Sequence, residues 1–145
     1  MQHLAESLIR QAETRDAPGI ARLVGQLGYA ATADEVSERL TVMASEGRTV
    51  LVAEVGGAVA GVLSTSVMRV LHRPAPVGRI SMLVVDERQR GGGIGAALVR
   101  AAEAALAQQG CYMVEVTSNV ARVDAHRFYE RLGYEQTSVR LAREL

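Results

Sequence analysis

The chain has no lysine; all sixteen of its basic residues are arginine. That excludes a Walker A phosphate loop, which needs lysine before Ser or Thr, and Schiff-base chemistry on a lysine side chain. Sixteen acidic residues balance the arginines. A net charge of zero leaves no electrostatic footprint for DNA, RNA or an anionic membrane. The one cysteine, Cys111, excludes an internal disulfide, and a reducing, cytoplasmic compartment is expected. Cys111 falls where a strand should begin and reads as a buried structural thiol rather than a nucleophile. No apolar segment reaches the ~20 residues of a membrane helix, and Met1 to Arg10 lacks the apolar run of a signal peptide. There is no repeat, low-complexity segment or linker. A length of 145 residues, 48% of them apolar and 22% charged, suits one globular domain spanning 1–145.

What is present centres on one stretch, from Arg79 to Ala96. Ile80 to Val85 is rich in branched residues, as a buried strand is. Asp86 to Arg90 makes a charged turn. Gly91, Gly92, Gly93 and Gly95 then leave backbone N–H groups uncovered by side chains. The helix that follows points the positive end of its dipole into that turn, so a phosphate fits there physically. A plain glycine-rich surface loop fits the glycines equally well.

In chain order, Ser7 to Glu13 reads as a first strand. Asp16 is the expected N-cap of a helix with Pro18 in its first turn, Ile20, Leu23, Val24 and Leu27 at helical spacing, and Gly28 as its stop. Thr32 and Glu35 form a capping-box pattern. Val36, Leu40 and Met43 carry the apolar side of that second helix, which Gly47 ends. Thr49 to Val55 and Ala58 to Val70 read as two strands joined by a Gly56-Gly57 hairpin turn. Residues 71–78 read as a loop and Arg79 to Val85 as the next strand. A helix from about Gly93 to Gln109 carries the stripe Ile94, Ala97, Leu98, Ala101, Ala102, Ala105 and Leu106. Tyr112 to Thr117 reads as a strand, Val123 to Leu132 as a short helix stopped by Gly133, and about Gln136 to Leu141 as a last strand. The order predicts a mixed α/β fold (α+β) with a largely antiparallel twisted sheet and about four helices. The unit from 79 to 117 predicts a parallel pair with a right-handed crossover.

Two phosphate-binding patterns overlap in the glycine run. Gly91-x-Gly93-x-x-Ala96 formally matches the dinucleotide fingerprint, with Glu115 near the place of a ribose-binding acid. Against it, five residues separate the strand from the first glycine. The unit also begins only at residue 79, leaving too little chain for a second half-sheet. The other pattern is Arg90-x-x-Gly93-x-Gly95, in which successive N–H groups and an arginine surround a pyrophosphate.

With this second pattern the chain resembles the GNAT family of N-acetyltransferases, whose acetyl-coenzyme A loop has Gln or Arg, two residues, Gly, one residue, then Gly or Ala. Ala125-His126-Arg127-Phe128-Tyr129-Glu130-Arg131-Leu132-Gly133-Tyr134 resembles the family's second signature. Thr117-Ser118-Asn119 resembles the strand end before it, and Arg15-Asp16 and Ala53-Glu54-x-Gly56 its opening and central hairpin. The likeness covers nearly the whole chain and is of the small-amine type; from Thr117 to Leu145 it is most like aminoalkylphosphonate N-acetyltransferases.

The resemblance implies an acetyl-CoA-dependent N-acetyltransferase acting on the primary amine of a small molecule by direct attack. A non-catalytic acyl-CoA-binding or regulatory module on the same fold stands as the alternative. No metal site is evident in the residues, the neutral charge argues against nucleic-acid or membrane partners, and the family is compatible with a homodimer. Backbone groups of Leu83, Val84 and Val85 would pair with the pantetheine arm as an added strand. N–H groups from Arg90 through Gly91, Gly92, Gly93, Ile94 and Gly95 to Ala96 would hold the pyrophosphate. Asn119 would bond the pantetheine or phosphate end, and Tyr129 would protonate the departing thiolate. Without the motif, Tyr129 reads as a core aromatic, Asn119 as a turn cap and His126 as a helix-surface residue. Two departures stand out. The family often has proline where this chain has Glu87, which should then point away from the anionic coenzyme. The usual places for a strand carboxylate base hold Arg79 and Met82, so no base is carried over. A water held by Ser81 or a backbone carbonyl is left to take the amine's proton. Arg79 fits an acidic or phosphonate-bearing acceptor if it lies near the cleft, and otherwise a solvent-facing strand edge.

Overall fold

A computed structural model describes residues 6–117 and 123–145. It divides the chain into two compact units, Met1–Glu115 and Val116–Leu145. The elements run β1 (Leu8–Gln11), a 3-10 turn (Thr14–Asp16), α1 (Ala17–Leu27), α2 (Ala33–Ser45), β2 (Val50–Val55), β3 (Ala58–Met68), β4 (Val77–Val85), α3 (Ile94–Gln108), β5 (Met113–Val116) and α4 (Val123–Arg131). The strands form one sheet in chain order, β1-β2-β3-β4-β5, and the first three ladders are antiparallel.

The local signals act as their chemistry requires. The Thr32 hydroxyl accepts from Glu35 N, and the Glu35 carboxylate accepts from Thr32 N, closing the box at the start of α2. Gly56 and Gly57 adopt φ of 58° and 82°, the mirror-image turn that matches the twist of β2 and β3. Asp16 sits at the N-cap position of α1 but does not cap it. Its carboxylate is turned back, accepting from Glu13 N at 2.8 Å and from both terminal nitrogens of Arg10, each at 2.8 Å. Arg10 also reaches Glu54 Oε1 at 3.1 Å. A buried charge must be paired, and a bidentate arginine satisfies it better than a helix terminus.

Both faces of the sheet are covered within the first unit. Side chains alternate along a strand, so Val62 and its partner Val84 face one way while Gly61 and its partner Val85 face the other. Val62 and Val84 pack with Ile20 and Leu23 of α1, Val36 of α2 and Val52 of β2. On the opposite face lies α3. A Cβ on Gly61 would stand 3.0 Å from Leu98, and one on Gly78 2.7 Å from Leu106, so these two glycines let α3 lie directly on the sheet. Leu98 and Leu106 are fully buried there, each stabilising the fold by about 1.5–3 kcal/mol relative to exposure. Val99, outside the expected stripe, is fully buried too.

Three expectations are corrected. Residues 136–141 form no strand; they run exposed, with Val139 and Leu141 at 80% and 90% exposure. Their polar–apolar alternation fits a half-buried strand, but alternation supplies no ladder partner. The fourth strand begins at Val77 rather than Arg79, because Val77 and Gly78 pair with Met68 and Val67. Cys111 is half-buried in the turn before β5. Its partial burial raises the thiol pKa, which disfavours the thiolate. Among the described residues no helix is long and apolar enough to cross a membrane.

Candidate active site

β4 outruns its neighbour. Tyr112 N donates to Pro76 O at 3.1 Å, and Arg79 meets Glu115 across the two strands at 4.0 Å. Both contacts advance in the same direction, as in a parallel pair joined by a helix crossover. With Glu115 level with Arg79 and β5 ending at Val116, the last residues of β4 extend past it. Leu83 and Val85 are half-buried here, while the Val84 side chain is 4% exposed and belongs to the core. Val84 therefore has only its backbone to offer. An extended pantetheine arm adding along this edge would use backbone groups in the same way.

A bulge distorts β4 just before this stretch. Ser64 pairs with Met82 and Thr65 with Ile80, which leaves Ser81 as the extra residue. Its hydroxyl lies 2.8 Å from the Ser64 hydroxyl. Arg79, paired with Ser66, lies on the same face as Met82 and Ser64, along the strand from the apolar cluster under α1. Arg79 is half-buried, and its Nε is buried with no hydrogen-bond partner among the described residues. The acidic side chains on the strands are committed elsewhere: Glu54 to Arg10 and Glu115 to Arg79.

Beyond β4 the chain turns at Asp86, with Gln89 N donating to Asp86 O at 2.8 Å, and enters the glycine run. Gly91 and Gly93 have φ of 83° and 84°, and a Cβ at either would meet no atom of the described residues within 4 Å. Gly93 is the N-cap of α3 and supplies no side-chain cap. The first N–H groups of a helix have no partner within it, and with the helix dipole they favour an anion at this end. Gly91, Gly92 and Gly93 are exposed and Gly95 and Ala96 half-buried, whereas the Ile94 side chain is buried. Residues 90–96 thus fit a pyrophosphate through their backbone. The Arg90 guanidinium is exposed and folds back, its Nε donating to Val85 O at 3.3 Å.

Asp86, grouped with a charged turn in the sequence, is the residue that reading missed. It is only 8% exposed. Its carboxylate accepts from Arg88 N, from Arg22 and from Gln26, and these bonds hold its pKa below the ordinary aspartate range. The available signal was an aspartate opening a turn, which bonds the backbone two residues on.

In the second unit, Tyr129 lies on α4. Phe128 and Tyr134 pack edge-on to its ring, with centroids at 5.0 and 5.6 Å. Tyr134 N donates to Tyr129 O at 3.0 Å, closing the helix at Gly133, where φ is 98°. Burial pushes the Tyr129 phenol up to about 12, so it stays protonated at neutral pH. Asn119 lies outside the described residues. No group of three or more His, Cys, Asp or Glu suited to a metal occurs among the described residues.

The sequence matches the acetyltransferase (GNAT) family over residues 10–134. It is 33% identical to an aminoalkylphosphonate N-acetyltransferase of Salmonella typhimurium over 94% of this chain and 90% of that one. It is 31% identical to an aminoglycoside N(6')-acetyltransferase of Stenotrophomonas maltophilia, over 89% of this chain and 86% of the other. Among solved structures, glucosamine-6-phosphate N-acetyltransferase from Arabidopsis thaliana superposes with a TM-score of 0.85 at 27% identity, covering 96% of this chain and 98% of that one.

Proposed function

Since the chain belongs to the acetyltransferase (GNAT) family, and is thus an N-acetyltransferase drawing on acetyl-CoA, we propose that its acceptor is a small primary amine that also carries an anionic group, an aminoalkylphosphonate or a compound like it. The observation that carries this is Arg79, half-buried on β4 with its Nε unpartnered among the described residues and a carboxylate 4.0 Å away. An acceptor phosphonate would complete the guanidinium's hydrogen bonds, since arginine matches such oxygens bidentately. Glu115 would face the ammonium end. The relative that acts on aminoalkylphosphonates supports the same class.

In the reaction the amine nitrogen forms a bond to the acetyl carbon, and the carbon–sulfur bond breaks. The proton shed by the amine ends on sulfur. Bound acetyl-CoA supplies the activated acyl group; the chain supplies placement. The edge of Leu83 to Val85 would align the pantetheine, and residues 90–96 would hold the pyrophosphate. Tyr129, protonated at neutral pH, would donate to the departing sulfur. A thiol has a pKa of about 8.5, so full transfer from a phenol at about 12 runs uphill. The hydrogen bond to the developing thiolate therefore carries the effect, with the amine's own proton completing the thiol. Ser81 and Ser64, joined at the bulge, would hold the water that relays it.

The test is a comparison of kcat/KM across amines at saturating acetyl-CoA. Aminoalkylphosphonates should exceed aminoglycosides and simple alkylamines by at least about tenfold, the worth of one charge-assisted hydrogen bond. Equal or greater turnover of the polycationic aminoglycosides would overturn the anionic-acceptor reading.

A further inference from the structure

The pyrophosphate turn is tied to α1 by two side chains one helical turn apart, Arg22 and Gln26. Arg22 spans from Asp86 Oδ2 at 3.0 Å to Val59 O at 3.2 Å. Gln26 uses both ends of its amide: Nε2 donates to Asp86 Oδ1 at 3.3 Å, and Oε1 accepts from Glu87 N at 3.1 Å. Asp86 Oδ1 also accepts from Arg88 N at 3.2 Å, and Asp86 N donates to Ala60 O at 2.7 Å. The first two residues of the turn are thereby held from β3, from α1 and from within. The backbone four residues on begins the glycine cradle.

We infer that Arg22 and Gln26 are positioning residues for the coenzyme: through Asp86 and the Glu87 N–H they fix the turn that aims residues 90–96 at the pyrophosphate. This rests on the coenzyme site proposed above. Neither side chain is needed to build the core. Arg22 is exposed and Gln26 half-buried, whereas the buried face of α1 is Ala17, Ile20 and Leu23. Flexible glycines favour the clamp, since a cradle with four glycines in five positions loses entropy on binding unless its entry is already fixed.

Turn geometry provides an internal control. Glu87 occupies the second position of the Asp86–Gln89 turn, where proline is favoured because its ring presets φ. Among the described residues no non-glycine residue has positive φ, so Arg88 has the negative φ of a type I rather than a type II turn. The Glu87 N–H takes no part in the turn's own bond; Gln26 is its acceptor. Gln26 thus does from α1 what a proline ring at 87 does from within the turn, and the two restraints should substitute for each other.

The experiment measures acetyl-CoA affinity by calorimetry, together with kcat and with kcat/KM for acetyl-pantetheine, which lacks the pyrophosphate. Gln26→Ala should weaken acetyl-CoA binding about five- to tenfold, leave kcat at saturation unchanged, and leave acetyl-pantetheine use unchanged. Adding Glu87→Pro to Gln26→Ala should restore most of the affinity, while Glu87→Pro alone stays within about twofold of the parent. Wild-type affinity in Gln26→Ala, an equal loss with acetyl-pantetheine, or no rescue by Glu87→Pro would overturn the clamp. A parent protein without acetyl-CoA affinity would overturn the coenzyme site itself and the clamp with it.

Discussion

Arg79 and Glu115 meet across β4 and β5 at 4.0 Å, with about 30% of each side chain exposed. At that distance and exposure the pair adds little to stability, since partly solvated ion pairs contribute roughly 0–1 kcal/mol. Its proposed use is electrostatic: a cation and an anion side by side would match an acceptor that joins an amine to an acid. Arg79→Gln should raise KM for an aminoalkylphosphonate by about tenfold or more while KM for acetyl-CoA stays within about twofold. Steady-state kinetics with each substrate varied in turn checks this. An unchanged acceptor KM would assign Arg79 to the strand edge alone.

Tyr129→Phe keeps the ring that packs against Phe128 and Tyr134 and removes only the hydroxyl. Turnover should fall about 10- to 100-fold, with acetyl-CoA affinity within about twofold. The pH profile adds a second check. Because the phenol titrates near 12, activity should rise as the acceptor amine loses its proton and show no decline from Tyr129 below about pH 10.5. Equal turnover in the phenylalanine variant would make Tyr129 a packing residue.

Asp16 contributes to the acid limit of stability. The Arg10 hydrogen bonds hold its pKa below the ordinary aspartate value, against the opposing effect of burial. A depressed folded-state pKa contributes stability that is present above the unfolded value of about 3.9 and lost as pH falls through the folded value. Asp16→Asn should therefore destabilise the protein at pH 7, by about 3 kcal/mol or more because Arg10 is left without its bidentate partner. It should also flatten the fall in stability below pH 4. Denaturant unfolding at a series of pH values checks both, and parallel curves for the two proteins would refute the assignment.

Much of this architecture is legible in the residues because it rests on local chemistry. The box from Thr32 to Glu35, the Gly56-Gly57 turn and the stops at Gly28 and Gly133 depend on neighbours a few positions away, and each occurs where its residue type requires. What was not legible depends on partners distant in sequence. Asp16 looks like a helix cap until Arg10 and Glu54 come together across β1 and β2. Asp86 looks like turn polarity until Arg22 and Gln26, some sixty positions earlier, reach it from α1. Residues 136–141 have strand periodicity, but a strand needs a neighbour. Val99 falls outside the narrow stripe of α3 because close approach over Gly61 and Gly78 buries a wider face of that helix. In the candidate site, the glycine turn before α3 and the short helix that carries Tyr129 were readable in the sequence. The shortness of β5 against β4 and the bulge at Ser81 were not, because register is a relation between strands.

The measurement that tests the account most directly is the release of free coenzyme A thiol when the protein, acetyl-CoA and an aminoalkylphosphonate are combined, with the product mass read from the same mixture. The account predicts thiol and N-acetylated phosphonate in equal amounts, both dependent on the protein and both sharply reduced in Tyr129→Phe. Acetyl-CoA binding without thiol release, from this amine or any other, would contradict it.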